Sequence, residues 1–251
     1  MPSQPVTTAS PGPLALVGSG EYLPVMAGVE AMLLAGRPRR YVQLPTAAAP
    51  EGERSLRRWL DLGAAQAERL GVEQVPVVVR DRAEADEPGL AALIADAGLV
   101  YLSGGNPGYL ARTLRGTRVW QAILAAWQAG SGLAGCSAGA MALTGWVPSM
   151  RDLHAEPDPG LGVLPHLRVL PHFDRMLSWR PDMLTQAELQ SPAGTTVVGI
   201  DEDTALVDLT GVGHSWQVHG RQLAWTLADG ARTGHPVGTT LATPGGADSA
   251  G

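Results

Sequence analysis

Short apolar runs alternate with amphipathic segments through the first 143 residues of this 251-residue chain. The runs LALV, LVYL and GLAGC lead directly into small or glycine-rich turns, as buried parallel strands do. YVQL and QVPVVV are two further apolar runs of strand length. The segments between the runs carry apolar residues at helical spacing. Because parallel strands require crossover connections, this order predicts a mostly parallel sheet with helices on both faces, a three-layer α/β fold.

The last third of the chain has a different pattern. The runs TTVVGIDEDTALVDL, HSWQVHG and RQLAWTL are joined by turns that contain glycine, which predicts an antiparallel β extension at the sheet edge. We expect the Pro-rich leader, residues 1–13, and the Ala/Gly/Pro/Ser tail, residues 240–251, to be disordered. No linker or repeat interrupts residues 14–239, so we predict a single domain there.

Composition excludes several classes of function. All 18 basic residues are arginine, so lysine chemistry such as a Schiff base or a Walker-type phosphate site is excluded. A net charge of -6 argues against nonspecific nucleic-acid binding. The single cysteine cannot form an intramolecular disulfide and suggests a reducing compartment. With no positively charged signal region and no membrane-length apolar run, the prediction is a cytoplasmic protein without nucleic-acid or membrane partners.

The stretch GCSAG, Gly135 to Gly139, matches the G-x-S-x-G pattern of a nucleophile elbow. In this strand-to-helix turn the residues two before and two after the nucleophile must be tiny. Centred on Ser137 the flanks are both glycine, whereas centred on Cys136 they would be alanines. We therefore predict Ser137 as the nucleophile, with Cys136 pointing into the structure. The first N–H of the following helix, that of Ala138, is a predicted oxyanion donor.

A second oxyanion donor is expected from the turn SGGN that ends the preceding strand, from the N–H of Gly104 or Gly105. A nucleophilic serine also needs a base and a carboxylate that orients it. Among six histidines, His172 is favoured because it ends the apolar run RVLP. The carboxylates considered for the acid are four: Asp152, Glu156, Asp158 and Asp174.

Five motifs in order resemble the dipeptidase E and cyanophycinase family of serine peptidases. They are GSGEYLP, LSGGNPGYL, GCSAGAM with PSMRD, GLGVLP with LPHF, and GIDEDTALV, which together span Leu14 to about Trp225. The resemblance implies a flavodoxin-like, class I glutamine-amidotransferase-like fold. It also implies Ser137 as nucleophile, His172 as base, Asp152 as acid and Gly105 as oxyanion donor.

The chain departs from both branches of that family. Pro171 precedes the histidine, unlike in cyanophycinases, and DRMLSWRPDML replaces the dipeptidase E continuation after LPHF. The substrate pocket is therefore not transferable. Three arginines are predicted to bind a carboxylate of the substrate: Arg151, Arg175 and Arg180. Glu21 and Glu202 are predicted to bind an ammonium or guanidinium group of the substrate, and the amide of Asn106 is a further predicted contact.

The predicted function is hydrolysis of short peptides, including aspartyl peptides, through an acyl-enzyme, with no metal or other cofactor. Three alternatives remain open at this point: an isopeptidase of β-Asp-Arg bonds, an amidase or esterase using the same residues, and a noncatalytic binding protein on the same fold. A glutamine amidotransferase is disfavoured, because that chemistry places cysteine at the centre of the elbow. A homodimer through the late strands is a further hypothesis.

Overall fold

Five neighbouring parallel strands make up most of the central sheet in the computed structural model, which describes residues 10–148, 156–179 and 191–244. Across the sheet their order is β3, β2, β4, β5, β1. This confirms the predicted parallel α/β architecture. Their bounds are β1 Leu14–Val17, β2 Arg40–Leu44, β3 Glu73–Pro76, β4 Leu99–Leu102 and β5 Gly132–Cys136.

Helices cover both faces of this sheet, because successive strand residues point to opposite sides. Leu14 and Leu16 of β1 join one core cluster, and Ala15 and Val17 join the other. The first two helices pack on one face, the next five on the other. The bounds are α1 Ala27–Leu34, α2 Glu53–Leu70, α3 Arg82–Ala85, α4 Pro88–Ala92, α5 Pro107–Leu114, α6 Arg118–Gln128, α7 Ala138–Ala142 and α8 Phe173–Trp179.

Local signals explain where several helices begin and end. The side chain of Asn106 accepts the N–H of Tyr109 and so caps α5, with Pro107 at the first helical position. Thr117 caps α6 by accepting the N–H of Trp120. Gly71 ends α2 in the left-handed region, with φ 64°. Two 3-10 segments, Pro24–Met26 and Thr46–Glu51, precede α1 and α2.

The late strands divide between two sheets, whereas the sequence predicted one meander at the edge. Antiparallel β10, β11 and β14 extend the central sheet beyond β1, as expected. A separate sheet has the order β13, β12, β9, β8, with β8 and β9 parallel. The bounds are β6 Trp146–Val147, β7 Asp158–Pro159, β8 Leu167–Pro171, β9 Thr196–Ile200, β10 Thr204–Asp208, β11 Ser215–Gly220, β12 Ala224–Ala228, β13 Ala231–His235 and β14 Thr240–Ala242.

The division follows from packing around Phe173 at the start of α8. A Cβ on Gly199 of β9 would lie 2.5 Å from the Phe173 ring, so only glycine lets that ring settle on the strand. Phe173 is fully buried, together with Leu170 of β8. β9 is thereby held beside β8, and the short turn after Ile200 carries the chain from the second sheet to the central one.

Both predicted disordered ends contribute ordered residues to the fold. Strand β14 lies within the predicted tail and pairs with β11, because Leu241 turns inward and is buried. Thr243 accepts a hydrogen bond from the buried Trp216 indole at 3.0 Å. At the other end, Gly12 and Trp127 exchange two hydrogen bonds of 2.8 Å. Contacts distant in sequence thus order segments whose composition alone predicts disorder.

Candidate active site

Ser137 lies at a sharp turn between β5 and α7, with φ 50° and ψ -108°. A residue with a side chain rarely adopts a positive φ, and such strain clusters at active sites. The flanking glycines are a steric requirement, because a Cβ on Gly135 would lie 2.5 Å from the Gly139 carbonyl carbon. A Cβ on Gly139 would overlap the carbonyl oxygen of Leu102 on neighbouring β4. This is the geometry of a nucleophile elbow.

Cys136, the residue before Ser137, points into the core and is fully buried, as the register of the motif predicted. Its thiol lies 2.8 Å from Glu21 Oε2. Burial, and then the neighbouring Glu21 carboxylate, raise the pKa of the Cys136 thiol well above its ordinary value. The thiol therefore stays protonated and buried, the opposite of what a nucleophilic cysteine requires.

His172 follows β8 directly and contacts Ser137. Its φ is 50°, so a second strained residue ends a strand at this edge of the sheet. The Nε2 atom lies 3.1 Å from Ser137 Oγ, within hydrogen-bond distance. Each other histidine in the described part of the chain has a different partner: His166 contacts Gly213, His214 contacts Thr243, His219 contacts Gln217 and His235 contacts Thr226.

The carboxylate beside His172 belongs to Glu202, in the turn between β9 and β10. His172 Nδ1 lies 3.0 Å from Glu202 Oε1. Because a carboxylate only accepts hydrogen bonds, Nδ1 carries the ring proton and Nε2 offers its lone pair to the Ser137 hydroxyl. The second oxygen, Oε2, accepts from Arg175 Nε at 3.4 Å. Asp174 Oδ1 accepts the Glu202 N–H at 2.9 Å and anchors the turn.

The predicted acid, Asp152, lies outside the described residues, so its role stays a prediction. Sequence reasoning treated Glu202 as a substrate contact and missed its place beside His172. The available signal was the motif GIDEDTALV, whose acidic turn follows a strand and precedes another. Nothing in the sequence indicated that β9 would pair with β8 and bring that turn to His172.

The turn after β4 carries the predicted oxyanion donor, Gly105. The N–H of Gly104 donates to Glu21 Oε1 at 2.9 Å, so it is already occupied. Gly105 has φ 135°, and a Cβ there would overlap the backbone of Ala47. Among the residues that the structure describes, the Gly105 N–H has no acceptor. The N–H of Ala138 is the first of α7 and has no carbonyl within that helix to bond.

The predicted substrate contacts have varied surroundings. Arg151 and Arg180 lie outside the described residues. Asn106 uses its side-chain oxygen to cap α5. Arg175 contacts Glu202 and Asp174, and its side chain is 58% exposed. Glu21 is only 6% exposed, and its two oxygens bind the Gly104 N–H and the Cys136 thiol. Glu21 therefore contacts the protein interior and not, as expected, the substrate.

A tryptophan that sequence reasoning did not select lies near this turn. The point where a Gly104 Cβ would stand is 3.6 Å from Ser137 Cβ and 3.8 Å from Cζ2 of Trp59 on α2. Trp59 also packs edge-on against Tyr22, with ring centroids 6.3 Å apart. The Trp59 ring and Ser137 thus both lie close to Gly104.

No group of three or more His, Cys, Asp or Glu side chains in the described ranges is arranged to hold a metal ion. None of the helices described is both long enough and apolar enough to span a bilayer.

Comparison with known proteins identifies the family of the chain. The chain matches the model of peptidase family S51 over residues 14–211. It is similar to the crystal structure of a peptidase from an acI-B1 Actinobacterium, with 41% sequence identity and a TM-score of 0.86. That match covers 94% of this chain and 98% of the other.

A second solved structure resembles this chain in fold alone. It is a peptidase E protein from Listeria monocytogenes EGD-e, with 16% identity and a TM-score of 0.55, covering 91% of this chain and 100% of that one. No curated protein matches the chain. The family match covers most of the sequence and confirms the resemblance to the dipeptidase E family. The chain belongs to peptidase family S51 and is a serine peptidase.

Proposed function

We propose that the protein hydrolyses short peptides through an acyl-enzyme on Ser137, with His172 as general base and Glu202 as the orienting acid. The observation that carries the proposal is the unbroken chain of contacts from Ser137 Oγ to His172 Nε2, and from His172 Nδ1 to Glu202 Oε1, at 3.1 and 3.0 Å. A nucleophile, a base and an acid in this order form the arrangement that activates a serine hydroxyl.

In the first half-reaction, Ser137 Oγ attacks the substrate carbonyl carbon while His172 Nε2 takes the hydroxyl proton. The N–H groups of Gly105 and Ala138 donate to the tetrahedral oxyanion, each donor contributing about 3–4 kcal/mol. The carbon–nitrogen bond then breaks, and the imidazolium returns its proton to the leaving amine. Glu202 stabilises the imidazolium throughout, because its carboxylate faces Nδ1.

In the second half-reaction, water replaces the amine. His172 Nε2 takes a proton from the water as its oxygen attacks the acyl carbon. The bond from that carbon to Ser137 Oγ breaks, and the proton moves from the imidazolium to Oγ. The side chains of His172 and Glu202 are 36% and 29% exposed, so solvent water has access to this face of the site.

Short peptides, with aspartyl peptides among them, are the proposed substrates. Membership in peptidase family S51 supports a peptide substrate, and the exposed guanidinium of Arg175 beside Glu202 supports one that carries a carboxylate. A guanidinium binds carboxylates in a bidentate geometry. Location in the cytoplasm and a homodimer remain predictions from the sequence.

Labelling with a fluorophosphonate probe tests the nucleophile without a known substrate. We expect stoichiometric modification of Ser137, located by peptide mass spectrometry. Labelling should be lost in Ser137→Ala and slowed in His172→Ala, and it should be unchanged in His219→Ala, a histidine whose partner is Gln217. Equal labelling of wild type and Ser137→Ala would overturn the proposal.

A peptide library then identifies the substrate class. It should contain Asp-X dipeptides, non-aspartyl dipeptides, β-Asp-Arg and longer peptides, each assayed with wild type and Ser137→Ala. Cleavage of short α-linked peptides only by wild type supports the proposal. Cleavage restricted to β-Asp-Arg would replace it with an isopeptidase, and an unlabelled, inactive wild type would favour a noncatalytic binding role.

A further inference from the structure

Glu21 and Tyr22, in the loop after β1, clamp the turn that carries the oxyanion donor. The Tyr22 hydroxyl lies 2.8 Å from Ser103 Oγ, and Glu21 Oε1 accepts the N–H of Gly104 at 2.9 Å. Two consecutive residues of the loop after β1 thus bind two consecutive residues of the turn after β4, Ser103 and Gly104. Tyr22 has φ 62°, a strained conformation that directs the two side chains to this turn.

The other oxygen of Glu21 binds the nucleophile strand. Glu21 Oε2 lies 2.8 Å from the thiol of Cys136, the residue before Ser137. Strands β1, β5 and β4 are neighbours in the sheet. Glu21 follows β1 and contacts the carboxyl ends of β5, at Cys136, and of β4, at Gly104. With 6% exposure and both oxygens occupied, its carboxylate is a structural bridge between the nucleophile and the oxyanion turn.

The Gly105 peptide is held from both sides by this arrangement. On one side the Gly104 N–H is held by Glu21, and on the other the Asn106 N–H donates to Ala47 O at 2.8 Å. Gly105 itself has φ 135°, a backbone conformation that glycine adopts readily because it lacks a side chain. The two flanking hydrogen bonds therefore determine where the Gly105 N–H points.

We propose that Glu21 is a positioning residue for the reaction: by holding Gly104 it aims the Gly105 N–H at the oxyanion and ties that donor to the Ser137 turn. The inference rests on the proposed function, because it assigns Gly105 as an oxyanion donor. It replaces the earlier expectation that Glu21 binds a cationic group of the substrate.

Three variants at two positions test the proposal. Glu21→Gln keeps a side-chain oxygen for the Gly104 N–H, and Glu21→Met removes both acceptors at similar volume. Glu30→Met is the comparison variant, since Glu30 is a fully buried glutamate whose Oε2 accepts from Gln66 at 2.6 Å and which reaches the clamp only through the backbone of Tyr22. Both Met variants remove a buried carboxylate, but only the carboxylate of Glu21 binds the oxyanion turn.

The readouts are the second-order rate of Ser137 labelling by the fluorophosphonate, whose phosphoryl oxygen needs the same donors, and kcat and KM on any peptide that wild type cleaves. We expect Glu21→Met to slow labelling and kcat about 100-fold, the effect of displacing a catalytic group by about 1 Å. KM should change little. Glu21→Gln should recover to within about tenfold of wild type, and Glu30→Met should label like wild type.

Thermal unfolding of each variant accompanies these rates. The inference is overturned if Glu21→Met labels at the wild-type rate. It is also overturned if Glu30→Met and Glu21→Met are destabilised equally and their labelling rates fall by the same factor. If Glu21→Met does not fold, Glu21→Ala takes its place, because it also removes both acceptors: slower labelling than in Glu21→Gln supports positioning, and labelling at the wild-type rate overturns it. Failure of wild type to label at Ser137 would instead refute the proposed function itself.

Discussion

Replacing Glu202 by glutamine tests the acid of the site most directly. Glu202 Oε2 accepts from Arg175, so an amide at this position turns its oxygen to the guanidinium and its NH₂ group to His172 Nδ1. A donor facing Nδ1 stabilises the imidazole tautomer with its proton on Nε2. That tautomer cannot take the Ser137 proton, and the imidazolium also loses its counter-charge.

The size of the effect follows from the contact distance. Opposite unit charges 3.0 Å apart interact by about 1.4 kcal/mol at the dielectric of water and about 5.5 kcal/mol at an effective dielectric of about 20. Because both side chains are about one-third exposed, the lower half of that range applies. The unfavourable imidazole tautomer adds to this loss of charge interaction. We therefore expect Glu202→Gln to lower the rate of Ser137 labelling, or kcat/KM, by about 10²–10³-fold.

The control variant removes a neighbouring charge from the same turn. Asp203 follows Glu202, pairs with Arg221 at 3.7 Å and has φ 54°, which asparagine tolerates. Asp203→Asn should therefore stay within about threefold of wild type. Asp152→Asn examines the acid that the family resemblance implies. If Glu202→Gln is as fast as wild type while Asp152→Asn loses about 100-fold, the assignment of Glu202 is refuted.

Three predictions concern stability and are measured by urea or thermal unfolding. Ser137→Gly should be about 1 kcal/mol more stable than Ser137→Ala, because glycine relieves the positive φ at the elbow, and equal stabilities would show that the turn is unstrained. Burial raises the pKa of Glu30 to about 7, so the folded state binds a proton there that the unfolded state has lost above about pH 4.5. Wild-type stability should consequently fall by about 3 kcal/mol as pH rises from about 5 to 8, a loss absent from Glu30→Gln. Arg168 is 2% exposed with no hydrogen-bond partner in the described chain, and its burial lowers the pKa to about 9. Arg168→Met should add about 1–3 kcal/mol to the free energy of unfolding, and a lower stability would contradict this.

The proposed nucleophile, Ser137, could be selected from sequence because the geometry of the elbow is local. The elbow requires small residues two positions to either side of the serine, and only the register on Ser137 meets that requirement with two glycines. The structure gives the same reason in three dimensions, because a Cβ on Gly135 or Gly139 would overlap neighbouring backbone atoms. The parallel strands were predictable on the same basis, since a short apolar run between amphipathic segments has few other ways to bury itself.

The partners of that serine depend on contacts between distant segments. His172 was favoured by its place at a strand end, but its distance to Ser137 depends on how β8 packs against α7. Glu202 reaches His172 only because β9 pairs with β8. Such pairings reflect side-chain packing across the fold, here Phe173 on Gly199, and leave no signal in the composition or spacing of one segment.

The sequence by itself thus determined the parallel strands and the elbow around Ser137, because each depends on residues within one turn or one strand. Tertiary structure decided which carboxylate faces His172, that Glu21 lies beneath the site, and that β14 orders part of the tail. Each of these is a contact between side chains or strands far apart in the chain. Their free energy comes from burial and hydrogen bonding that exist only once the sheets have assembled.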